Sequence, residues 1–204
     1  MQKHIAVWVT TLLLFVSSVY AQKVEQDSTF RRYFIGSSAF ILGNFATEYS
    51  PQFFQLNAGY WLTDKDVLMV DFKTWRYFHP LGIPLGSSAR SPEWEYPGLA
   101  RGYGLGLAYQ RFLWQGLYAA VEATSLLQEY KNRENELIQN GYQLFAAVRI
   151  GYHIRLFDDR FFIEPSVACT AWPINTNVPK AFADLDSKWQ GYFFEPGLHF
   201  GFKF

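Results

Sequence analysis

The sequence predicts an all-β fold, an eight-stranded antiparallel up-and-down barrel, on three observations. Apolar and polar residues alternate with period two over long stretches. The links between those stretches alternate between tight and long. Aromatic residues make up 20% of the 204 residues, yet after residue 21 no apolar run is long enough for a membrane helix. A soluble domain of this size would struggle to hide so many rings, whereas a transmembrane barrel turns them toward lipid.

The strand-like stretches are residues 33–45, 52–62, 67–79, 101–114, 117–130, 141–156, 160–172 and 191–204. Each exceeds the roughly 9–11 residues that a tilted strand needs to cross a bilayer. In the last, Tyr192, Phe194, Pro196, Leu198, Phe200, Phe202 and Phe204 share one face, against Glu195, Gly197, His199, Gly201 and Lys203 on the other. The sixth repeats the pattern, with Leu144, Ala146, Val148, Ile150, Tyr152 and Ile154 opposed by Gln143, Arg149, Gly151, His153 and Arg155. In the first stretch the two faces look alike.

Residues 63–66, 115–116 and 157–159 read as tight turns. Residues 46–51, 80–100, 131–140 and 173–190 read as longer loops. Outer-membrane barrels have this asymmetry, and an even strand count closes the sheet so that no hydrogen-bonding edge meets lipid.

The N-terminus reads as a targeting segment. Lys3 and His4 precede a mostly apolar run over residues 5–16, and Val19 and Ala21 suit the −3 and −1 positions of a signal-peptidase site. The expected organisation is a signal peptide over 1–21, a short periplasmic segment over 22–32 and a barrel over 33–204. An uncleaved anchor is the rival, but the run is well short of about 20 residues. Without Lys3, 17 of the 18 basic residues remain against 18 acidic ones. That balance gives no support for nucleic-acid binding. Cys169 is the only cysteine, which excludes an intrachain disulfide and a multi-cysteine zinc site. No motif for a cofactor or metal is present.

Together, the N-terminal segment, eight alternating strands and the final Gly201-Phe202-Lys203-Phe204 resemble the small Gram-negative outer-membrane barrels of the OmpA and OmpX type. The resemblance spans nearly all of residues 30–204. It implies outer-membrane localisation, contact with membrane lipid and lipopolysaccharide, and a monomer. Phe200, Phe202 and Phe204 are similar to the C-terminal signal that the barrel-assembly machinery reads. The class includes anchors, adhesins, small pores and lipid-modifying enzymes, so the resemblance implies no particular activity. A lipocalin-like barrel is the alternative fold, and Gly59-Tyr60-Trp61 mimics its Gly-x-Trp. Lipocalins, however, enclose their apolar face, and here that would leave the charged face outside.

The inward parity gathers Asp71, Glu122, Glu164 and Glu195 with Lys73, Arg149, Arg155 and Lys203. An eight-stranded barrel is just wide enough for side chains to fill, and charges in that space must pair. The expected arrangement is an ion-pair network that plugs the lumen. A narrow pore is the second reading, requiring the network to switch partners. A lipid-directed enzyme is the third: His153, Glu164 and His199 fall at similar heights, with Ser166 beside them, and could form a hydrolytic group. Against this, the His-x-Ser-Asn pattern of the lipid A deacylase family is missing: His153 is followed by Ile154 and Arg155. The outer loops are the place for a surface ligand. Arg76 has lipid-facing parity, suited to lipopolysaccharide phosphate or to snorkelling. The twin patterns Phe162-Ile163-Glu164-Pro165 and Phe193-Phe194-Glu195-Pro196 predict a bulge or bend in each strand.

Overall fold

The computed structural model describes residues 30–45, 50–80, 95–188 and 191–204. The expected cleavage site and residues 22–29 lie outside these, as do most of the 80–100 loop and Trp189. Residues Arg31–Phe204 form one compact unit. Its strands are β1 (Tyr33–Ser38), β2 (Phe54–Trp61), β3 (Asp66–Tyr77), β4 (Gly98–Trp114), β5 (Leu117–Asn132), β6 (Leu137–Tyr152), β7 (Ile154–Leu156), β8 (Phe161–Thr176) and β9 (Tyr192–Lys203). Each pairs antiparallel with its neighbours in the order β6-β5-β4-β3-β2-β1-β9-β8-β7, and β6–β8 pairing closes the ring. β6 and β7 are one crossing interrupted at His153, so among the described residues nine strands make eight crossings.

Proline explains that interruption. Gly151 pairs with Ser166 and Ile154 with Ile163, so the register is the same on both sides of the gap. The missing rungs fall opposite Pro165, which has no N–H to donate. Pro196, by contrast, is placed where it costs nothing. It pairs with Val167 on one side, while on the other β1 has already ended at Ser38, opposite His199. Neither proline produces the expected bulge, and the β8–β9 register runs through both without a slip. The slip in β8 lies instead beside Pro173, between the Leu144–Ile174 and Ala146–Ala171 pairs.

The first strand is shorter than its sequence reading. β1 stops at Ser38 and a 3-10 helix, Ala39–Phe45, follows. The segment AFILGNF has no alternation to fix one face of a ribbon, and Asn44 ties the helix back to β2 by accepting from the Phe53 N–H at 2.6 Å. The β5–β6 link is also shorter than 131–140, because both strands extend to a turn at residues 133–136.

Alternation sorts the side chains cleanly. Outward positions along the middle of the wall are aliphatic and aromatic: Leu105, Leu107, Leu127, Ile150 and Phe194 are all more than 60% exposed. Inward positions form three layers. At the turn end Phe34, Trp61, Val67 and Phe162 pack together with Met69 and Phe112. At the loop end Tyr77, Tyr96, Ala100, Tyr130 and Phe182 form a second cluster. A polar layer lies between. Glycines make room inside: Phe34 faces Gly59 across β1–β2, and a Cβ on Gly59 would lie 2.0 Å from the Phe34 ring. Asp71 faces Gly106 in the same way, at 2.2 Å.

Candidate functional site: a polar lumen closed at both ends

Lys73 holds the centre of the polar layer. Its Nζ donates to Glu122 and lies 3.1 Å from Asp71 Oδ2, with the Phe145 ring 5.0 Å away. Glu122 also accepts from Thr124 at 3.0 Å. A second group forms around Glu164, whose Oε1 accepts from Gln110 at 3.1 Å and lies 2.6 Å from His153 Nδ1. Register places His153, Glu164 and His199 in one row. His153 is enclosed by rings, stacked on Phe162 at 4.8 Å and edge-on to Phe112 and Trp61.

The remaining members of the expected network divide. Arg149 donates to Ser166 Oγ at 3.0 Å. Lys203 is buried, but its ion pair is with Asp159 in the β7–β8 turn, at 2.7 Å, with the Trp61 ring 4.7 Å away. Arg155 departs from the expectation. β7 is only three residues long, so Arg155 lies at the rim and is exposed. Glu195 is half-buried and enters none of the ion pairs among the described residues. The balance is therefore not four charges against four in one network: Lys203 and Arg155 both lie at the turn end.

Ser166 Oγ receives the Arg149 N–H and faces the Gly197 carbonyl at 3.4 Å, and neither histidine is its hydrogen-bond partner. His153 Nε2 and the Tyr118 hydroxyl are buried without a hydrogen bond. The free space between these groups is about 40 Å³, lined by Asp71, Gln110, Glu122, Arg149, Glu164 and His199. That holds a few waters at most. Among the described residues no group of three or more His, Cys, Asp or Glu could hold a metal ion.

Two features escaped the sequence reading. The first is a cap. Helix α1 (Lys180–Asp186) follows β8 and buries Phe182 in the mouth of the barrel, 4.6 Å from Tyr96 and 5.1 Å from Tyr130 between ring centroids. Val178, Phe182 and Leu185 carry the signal, an apolar stripe at helical spacing. The Tyr96 hydroxyl donates to Asp186, and burial raises the pKa of both groups, though the tyrosine bond pulls that of Asp186 back. The second feature is at the turn-end rim, where Asp66 accepts from Thr63, Tyr109 and Arg111 at 2.5–2.6 Å.

No family model matches the chain, and no curated protein matches it. Among solved structures, it is similar to the crystal structure of Neisserial surface protein A, with 10% identity, a TM-score of 0.42, and coverage of 85% of this chain and 95% of that one.

Proposed function

We propose that this chain is an outer-membrane β-barrel protein with a plugged lumen and a structural or interaction role exercised at its loop end. The observation that carries this is the outward face of β4, which reads Arg101, Tyr103, Leu105, Leu107, Tyr109, Arg111. Charge, ring, two aliphatics, ring and charge span ten residue steps, about 33 Å along a strand. A tilt near 40° turns that into roughly 25 Å of height, the thickness of an outer-membrane apolar band. β3 repeats the length between Asp66 and Arg76, with Leu68, Val70 and Phe72 between them.

The short turns then face the periplasm and α1 lies outside. The outward Phe200, Phe202 and Phe204 offer the barrel-assembly machinery its C-terminal signal, as in the OmpA and OmpX type. Ring clusters at both ends of a water-sized cavity favour a plugged lumen over a pore. The rings around His153 and the water-sized space that Glu164 and His199 line also speak against lipid-directed catalysis, since an acyl chain does not fit there. The expected partners are membrane lipid and lipopolysaccharide on the wall and a surface ligand at the loops, and the barrel is expected to be monomeric.

Expression in a Gram-negative host tests the reading. The protein is expected in the outer-membrane fraction, with a band that shifts on heating in detergent gels, and without discrete openings in planar bilayers. Recovery in the soluble periplasmic fraction would refute the membrane assignment, and steady conductance would refute the plug.

A further inference from the structure

Arg76 and Arg101 are direct cross-strand partners on the outer wall, at the loop-end edge of the apolar band. Cβ atoms of such partners lie about 5 Å apart, and like charges there are destabilising. Neither guanidinium has a carboxylate within ion-pair distance among the described residues. The obvious candidate declines the role: Glu129 sits across from Arg101 on β5, but its carboxylate turns to Lys131 at 3.0 Å.

Both side chains are nevertheless held in place. Arg76 Nε donates to the Ser50 carbonyl at 2.9 Å, and the guanidinium lies over the Phe78 ring at 5.3 Å. Arg101 Nη1 donates to Gln52 Oε1 at 2.9 Å and lies over Tyr103 at 5.4 Å. Gln52 has a left-handed φ of 43°, a conformation that costs energy in a non-glycine residue. Arg101 Nε is buried without a partner. Two fixed forks of donors, set side by side and repelling each other, suit an oxyanion held by bidentate hydrogen bonds.

We propose that Arg76 and Arg101 form a clamp for the phosphate monoester of an outer-leaflet glycolipid. This rests on the outer-membrane reading, because it is the height of the pair, at the top of the band, that sets it among headgroups. The phosphate accepts from both guanidiniums and neutralises their repulsion. The glycolipid's acyl chains lie along the aliphatic wall of β3 and β4 beneath.

The test uses the folded barrel in detergent micelles, titrated with bis-phosphorylated lipid A, dephosphorylated lipid A, or inorganic phosphate, and read by native mass spectrometry. Phosphorylated lipid A is expected to bind roughly tenfold or more tightly than the dephosphorylated form, the order set by hydrogen bonds to charged groups. Inorganic phosphate, lacking the acyl chains, is expected to bind weakly. The R76Q/R101Q variant loses the preference, while K180Q on α1 keeps it. Equal binding of the two lipids, an unchanged preference in R76Q/R101Q, or inorganic phosphate binding as tightly as the lipid would overturn the clamp. A barrel that inserts into vesicles but ignores the phosphate refutes the clamp alone. A chain that does not insert refutes the membrane reading with it.

Discussion

Phe182 stands edge-on to Tyr130, 5.1 Å between ring centroids, and is 1% exposed. One ring from an external helix thus seals a strand mouth built by Tyr77, Tyr96 and Tyr130. Truncating a buried Phe to Ala costs about 3–5 kcal/mol where the site cannot collapse. Here the loss falls on the docked helix rather than on the strand ladder. Phe182→Ala is expected to make Lys180 and Lys188 cleavable by trypsin in the folded barrel, while the heat-shifted gel band persists.

Asp186 gives the same cap a pH dependence. Burial raises its folded pKa above the unfolded value, so the docked cap holds the proton more tightly than the free loop. Its stabilising effect is full below the unfolded value and fades as pH rises through the raised one. The Tyr96 hydroxyl donates to it, and burial keeps that hydroxyl neutral across the range. Tryptic cleavage at Lys188 is expected to slow as pH is lowered from 7 toward 4, once normalised to an unfolded peptide. Asp186→Asn is expected to flatten that profile.

Glu164 binds Gln110 and His153 in the buried row. Glu164→Ala strands both, and the expected loss is roughly 3–5 kcal/mol in a urea titration of the refolded barrel. A loss under about 1 kcal/mol would mean that water, not protein, satisfies these groups. Glu164→Gln keeps the shape and one acceptor and is expected to cost less than Ala.

On the outer wall, Leu107→Arg is expected to destabilise the barrel in vesicles by about 2–4 kcal/mol, the cost of an arginine near the bilayer midplane. Leu113→Arg, near the turn-end rim, is expected to cost about 0–1 kcal/mol. Equal costs at both sites would contradict the depth assigned to β4.

Period-two alternation made most strands and their inward faces legible, because one ribbon face is apolar through the middle of the wall and a slip of one residue would reverse it. The row of His153, Glu164 and His199 followed from counting up from the turns. Three things were hidden for physical reasons. Residues 39–45 have no alternation, so nothing marked where β1 ends. Arg155 has inward parity, but a strand end reaches past the lumen, which parity cannot reveal. Lys203 pairs with Asp159 through a turn where Phe157, Asp158 and Asp159 all have φ between 51° and 60°. That left-handed path aims Asp159 at the lysine, and a sequence reading places it only as a loop residue.

A spin-label scan along β4 bears most directly on which face of the ribbon meets hydrocarbon. Single cysteines replace Leu105, Leu107, Ala108, Tyr109 and Gln110 in a Cys169→Ser background, and the labelled barrels are placed in lipid vesicles. Labels at 105, 107 and 109 are expected to collide with oxygen and to be shielded from a water-soluble nickel chelate, while those at 108 and 110 are shielded from both. Free access of the nickel chelate to 105 and 107 would mean that the aliphatic face is in water, and the outer-membrane account would not survive it.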